Sequence, residues 1–259
     1  MAPLELGLLA ALALGASYIQ ASAGFSFSIV FVSVTSSLGL LPLWEVTELA
    51  SLLVVVNAVM ALTSSPHRPD VKLILPMVLS MAPAIGVGVW LLSIMDVGQT
   101  PVALILLGGV TLLASAMLFL NLKIHPTPSH VVGRVFTGLS AGLLGGMLAA
   151  PGPPLVLSLY RQPRPAAVMR VSLLAVLLSF GVMRLVAVQL TEPTTFSALT
   201  VFLVCAPVSL LGAWFGTKYP PPLSDINLRR ASFALLSAVG LLLLLEGYWQ
   251  LTPVQAPTL

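Results

Sequence analysis

The sequence predicts an all-α polytopic integral membrane protein made of two inverted-topology repeats, each a broken helix or re-entrant pair plus three transmembrane helices. Three observations carry this expectation. The composition is apolar and nearly free of charge. Two long apolar regions are interrupted by Gly, Ser and Pro. The connections between apolar runs alternate between basic and acidic.

Of 259 residues, 58% are hydrophobic and 7% charged, and the mean hydropathy is +1.06. A soluble domain carries about 25% charged residues. A chain this apolar cannot cover its surface in water, so it belongs in a bilayer. The net charge of +3 is too small to indicate nucleic acid, and in a membrane chain the placement of charge matters more than its sum. The single cysteine, Cys205, excludes a disulfide framework and reads as a small buried residue in an apolar run.

The first apolar region, 4–41, is too long for one crossing, since a helix rises about 1.5 Å per residue against a core of about 30 Å. Its interruption is YIQASAGFSFSIV, residues 18–30. Ala21-x-Ala23 has the form of a signal-peptide processing site behind the apolar run 6–15. However, the preceding tract lacks Lys and Arg and carries Glu5, whereas an export signal starts positive. The stretch therefore reads as a membrane helix broken by Ser22, Gly24, Ser26 and Ser28. Apolar runs at 46–63, 71–93 and 99–121 follow.

The same order recurs in the second half. Region 131–160 is interrupted at Pro151-Gly152-Pro153-Pro154, and its last piece, 153–160, is too short to cross. Runs at 171–190, 195–216 and 228–246 complete it. The repeats are assigned to 1–123 and 124–259. Between them, APAIGVGVW (82–90) and APVSLLGAW (206–214) share Ala82/Ala206, Pro83/Pro207, Gly88/Gly212 and Trp90/Trp214. The two breaks correspond as well, with Gly24 against Gly152.

Charge gives the orientation. Ten of the eleven basic residues fall in four segments: 64–72, 121–134, 161–170 and 218–230. The remaining connections hold Glu5, Glu45, Glu48, Asp96, Glu192 and Glu246 and no Lys or Arg. Basic loops face the cytoplasm, which places both termini outside. The loop at 64–70 then lies inside and its counterpart at 190–194 outside, so the halves are inverted. Inverted repeats belong to secondary transporters, whose sites form near the midplane where broken helices meet.

A break frees backbone N–H and C=O groups that cannot face lipid. Gly24 and Gly152 let the chain turn and a ligand approach. Pro153 and Pro154 suit the first turn of a restarting helix. Two helix starts aimed at one cavity favour an anion, with Gln20, Ser22, Ser26 and Ser28 as further donors and Pro151 at the turn. Small residues also serve tight helix packing; their occurrence at equivalent places in both halves favours binding. Asn57 sits inside a span and suits either helix–helix bonding or substrate contact. Arg184 lies about two turns from the outer end of its span, as a substrate or gate residue or as a snorkelling one. Gln99 and Gln189 fall near span ends.

No nucleophile–base pair is apparent, so no catalytic residues are assigned and an enzyme is not expected. His67, His125 and His130 lack metal-ligand spacing, and no metal or cofactor is expected. No Asp or Glu lies mid-span, so the usual carboxylate proton relay is not expected either.

SAGFSFS, with Phe25 and with Ser26 and Ser28 where more glycine is common, together with GLLGGMLAAPGPPLVLSLY (142–160), resembles the sulfite exporter TauE/SafE family of membrane permeases. The resemblance extends to length and two-half layout. It implies small sulfur-containing or organic anions as substrates, such as sulfite, sulfonates or sulfoacetate, and residence in the bacterial cytoplasmic membrane. The partners expected are a small anion and lipid, without nucleic acid, and with a homodimer left open. The competing readings are an anion channel with a continuous pore and, less supported, a membrane enzyme or assembly factor.

Overall fold

A computed structural model describes residues 3–23, 27–94, 100–119, 129–191, 196–219 and 225–251, and among these all regular structure is helical. The helices are α1 (Pro3–Ala23), α2 (Phe27–Ser37), α3 (Leu43–Thr63), α4 (Val71–Ser93) and α5 (Thr100–Phe119), then α6 (Val131–Leu148), α7 (Gly152–Leu159), α8 (Ala166–Thr191), α9 (Phe196–Lys218) and α10 (Asp225–Leu251). Stretches within α1, α3, α4, α6, α8 and α9 are long and apolar enough to cross a bilayer. The chain is thus an all-helical polytopic membrane protein.

Helix α7, with 8 residues, extends only about 12 Å, too short to cross an apolar layer of about 30 Å; 11 residues of α2 are described. The interruption between α1 and α2, with Gly24, Phe25 and Ser26, lies outside the described residues. Helix α1 continues through Ser22 to Ala23; the Ser22 hydroxyl donates to the Tyr18 carbonyl four residues back at 2.8 Å and so satisfies itself within the helix. In the second region α6 ends at Ala149, a left-handed residue with φ 53° whose N–H donates to the Gly145 carbonyl.

One expectation is corrected. Glu48, grouped by sequence with the connections, lies in the second turn of α3 and is 2% exposed. The helix starts at Leu43, directly after Pro42, so it begins before the apolar run does. Glu45 takes the first turn, where a carboxylate meets the positive end of the helix dipole.

Glycine sets the closest helix crossings. A Cβ on Gly88 of α4 would stand 2.5 Å from the Leu143 carbonyl oxygen and 2.8 Å from the Gly146 Cα of α6. Gly142 meets the Met81 carbonyl in the same way, and Gly138 meets that of Met77. In α9, Gly212 and Gly216 abut the carbonyls of Leu14 and Tyr18 in α1. The matched glycines of the internal similarity, Gly88 and Gly212, therefore both lie at tight backbone crossings.

Helix partnerships are orderly. α4 packs along α6, α1 along α9 and α5 along α10, while α3 touches α8 and α9 and α4 touches α8. Helices α3 and α8 run antiparallel: the start of α3 (Thr47, Ser51) bonds Arg184 near the end of α8, and Asp70, beyond the end of α3, bonds Ser172 near the start of α8. Helices α5 and α10 also run antiparallel, with Gly108 against Gly240, Ser115 bonded to Ser237 and Gly247 against Pro101. At one end of the bundle three basic connections meet. Arg164 pairs with Asp70 at 3.2 Å, Arg134 donates to the Lys72 carbonyl, and Gln162 bonds Ser129.

Candidate functional site

The two interrupted regions come together at one small, open-mouthed cavity of about 10 Å³, room for about one water molecule. Gln20 of α1 and Phe27, Ser28 and Ile29 at the start of α2 line one side. Ala150, Pro151 and Gly152 at the start of α7 line another. Val54 of α3 and Leu177 of α8 close it. Both of these lie near the middle of their helices, so the cavity sits at mid-depth of the bundle.

Gln20 supplies the polar feature of this cavity. It is 2% exposed and its Oε1 has no hydrogen-bond partner. An amide oxygen left unbonded in the interior costs about 1–3 kcal/mol, which an O–H donor such as that of bisulfite or water would recover, while the oxygens of an anion need the amide N–H. Gly152 leaves space at the start of α7: a Cβ there would meet only the Ile29 Cδ1, at 3.9 Å. Because Pro153 and Pro154 carry no N–H, the amide donors of this helix start reduce to Gly152 and Leu155. The α7 start therefore offers an anion its dipole more than a cluster of donors.

Other residues singled out by sequence lie elsewhere. Ser22 does not line the cavity; its hydroxyl faces α9, within 3.4 Å of the Gly216 carbonyl. Asn57 belongs to a closed polar ring. Its Nδ2 donates to Ser17 Oγ at 2.9 Å, its Oδ1 accepts from Ser209 Oγ at 3.0 Å, and the two serines lie 2.6 Å apart. The ring ties α1, α3 and α9 together in the interior. Pro153 is the half-buried second residue of α7.

Arg184 is fully buried. Its Nε donates to the carbonyls of Gly145 (3.1 Å) and Gly146 (3.2 Å), in the last turn of α6. Its Nη1 donates to the Thr47 carbonyl and Ser51 Oγ, both at 2.9 Å. A cation at a helix C-terminus satisfies orphan carbonyls and favours the dipole. Arg184 thereby fixes α6 just ahead of Ala149–Gly152 and joins that break to α3. Its Nη2 has no partner.

Sequence reasoning missed Glu48. The available signal was the spacing Thr47, Glu48, Ser51, a polar stripe on one helical face opposite the lone intramembrane arginine. Among the described residues no group of His, Cys, Asp and Glu could hold a metal ion.

The sulfite exporter TauE/SafE family model matches residues 9–243. A curated relative, the "probable sulfite/organosulfonate exporter TauE" of Cupriavidus necator, is 29% identical over 93% of this chain and 94% of its own length. No solved structure matches the chain. The match takes in both breaks, the glycine crossings and the helices that enclose the cavity, and it is to a family of exporters, not of enzymes. This multi-pass membrane protein belongs to the sulfite exporter TauE/SafE family.

Proposed function

We propose that the chain is a secondary transporter for a small organosulfur anion, sulfite or a sulfonate, held in the cavity between the two breaks and moved by alternating access. The observation that carries this reading is the convergence of Gln20 and the α2 start with Ala150, Pro151 and Gly152 on one mid-depth cavity. The name of the Cupriavidus necator relative supplies the substrate class. Gly24, Phe25 and Ser26, outside the described residues, remain substrate-contact candidates in this reading, and Arg184 positions the second break.

The inverted repeats 1–123 and 124–259 are part of the proposal. What supports them is that exchanging α1–α5 with α6–α10, in order, leaves the main helix partnerships unchanged. The equivalent helices α3 and α8 run in opposite directions, as do α5 and α10. A site enclosed by both halves can open to either side as one half rocks against the other. The protein would lie in the cytoplasmic membrane with both termini outside and its basic connections within.

Proteoliposomes loaded with unlabelled sulfite should accumulate ³⁵S-sulfite by counterflow. A continuous pore gives none, so its absence alongside sulfite leakage would establish the channel instead. Gly152→Val should abolish counterflow while the protein still inserts and purifies as a folded species, because the branches enter the cavity where a Cβ alone fits. Full transport by this variant would remove the site.

A further inference from the structure

The structure places a carboxylate inside the apolar layer that the transport reading leaves unused. Glu48 is 2% exposed, and its Oε1 has no hydrogen-bond partner. Arg184 lies against the Thr47–Ser51 turn that carries it, its Nη1 donating to the Thr47 carbonyl and to Ser51 Oγ. The Nη2 of Arg184 is likewise unpaired. Ionisable residues at such depth are costly and as a rule functional.

We propose that Glu48 is a proton-binding group whose protonation favours occupation of the anion cavity. The inference rests on the anion-site reading above. Glu48 lies six residues from Val54 along α3, and Arg184 seven from Leu177 along α8; each separation is about 10 Å. With Glu48 ionised, its charge offsets Arg184 and repels an anion in the cavity. With Glu48 protonated, the Arg184 charge is left to attract one. Two unit charges about 10 Å apart, at the effective dielectric of a protein site, change affinity on the order of tenfold. Proton and anion then bind together, and an acid compartment loads the site.

The other ionisable groups on helices touching α3 are few. Helix α8 brings Arg184 and, near its start, Arg170; α2 brings none; α9 brings Cys205 and Lys218; α1 brings Glu5 and Tyr18. Lys218 lies over the Trp214 ring and Tyr18 bonds the Tyr219 carbonyl, both engaged at the end of α9. On α3 itself Glu45 stands one turn earlier. Helix α2, packed on α3, also carries the buried, unpartnered hydroxyls of Ser33, Thr35 and Ser36, groups able to pass a proton.

The test is binding of methanesulfonate, whose charge is constant over the range, and of sulfite to purified protein between about pH 8 and about pH 4, a window that takes in the ordinary glutamate value. The wild type should bind methanesulfonate on the order of tenfold more tightly at the acid end. Glu48→Gln should bind tightly at both ends, and Glu48→Asp should keep the slope. A slope that persists in Glu48→Gln, or a flat wild type, overturns the inference. If neither anion binds at any pH, the transport reading fails instead. Infrared difference spectra of the membranes then decide separately. Acidification should raise a protonated-carboxyl band in the wild type that Glu48→Gln lacks, and identical spectra overturn the assignment.

Discussion

Arg184 and Gln20 are both buried polar residues beside a break, yet they do different work. The guanidinium holds four acceptors, two of them at the end of α6. Removing it strands those groups in a dry interior, at a cost of about 3 kcal/mol or more. Gln20 has an unpaired oxygen facing the cavity, so removing it strands little. Arg184→Ala should therefore lower the melting temperature of the purified protein sharply. Gln20→Ala should leave it nearly unchanged while weakening sulfite binding by about tenfold, the value of one hydrogen bond donated by its Nε2 amide to a charged ligand. Unchanged sulfite affinity in Gln20→Ala would count against the cavity as the binding place.

Between helices, glycine has two roles that a thermal melt separates. At Gly146 a Cβ would stand 2.5 Å from the Ile85 carbonyl oxygen and 2.8 Å from the Gly88 Cα. Backbone cannot yield there without parting α4 from α6, and overpacking of this kind costs about 1–3 kcal/mol. Gly146→Ala should accordingly lower the melting temperature measured in detergent, whereas Gly152→Ala, with only a contact of 3.9 Å to accommodate, should melt like the wild type. Equal melting of the two variants would contradict the packing described. Gly152 stands out in the sequence by its flanking prolines, whereas nothing local marks Gly146 as facing a neighbouring helix. The Asn57 ring makes the same point. Its serine partners lie 40 and 152 residues away, a separation no periodicity reports.

For the assembled molecule, the two antiparallel pairs and the exchange of helix partners are what an inverted duplication requires. A two-sided labelling experiment tests it. With Cys205 buried and thus poorly reactive, Glu192→Cys should react with an impermeant thiol reagent from outside intact cells, and Arg68→Cys should not. Labelling of both from one side would refute the inversion. The contacts among the connections before α4, before α6 and between α7 and α8 bring three of the four basic segments together at one end of the bundle.

The membrane class, the order of the elements and the site of the second break were legible in the chain, because hydropathy and Gly/Pro placement are local consequences of a bilayer acting on each segment separately. Gln20, Pro151 and Gly152 could be named for the same reason. The union of Gln20 with Gly152 in one cavity, the turning of Ser22 towards α9, the anchoring of α6 by Arg184 and the burial of Glu48 could not. Each depends on which distant helix occupies the facing side, and that is settled by packing between backbones far apart in sequence.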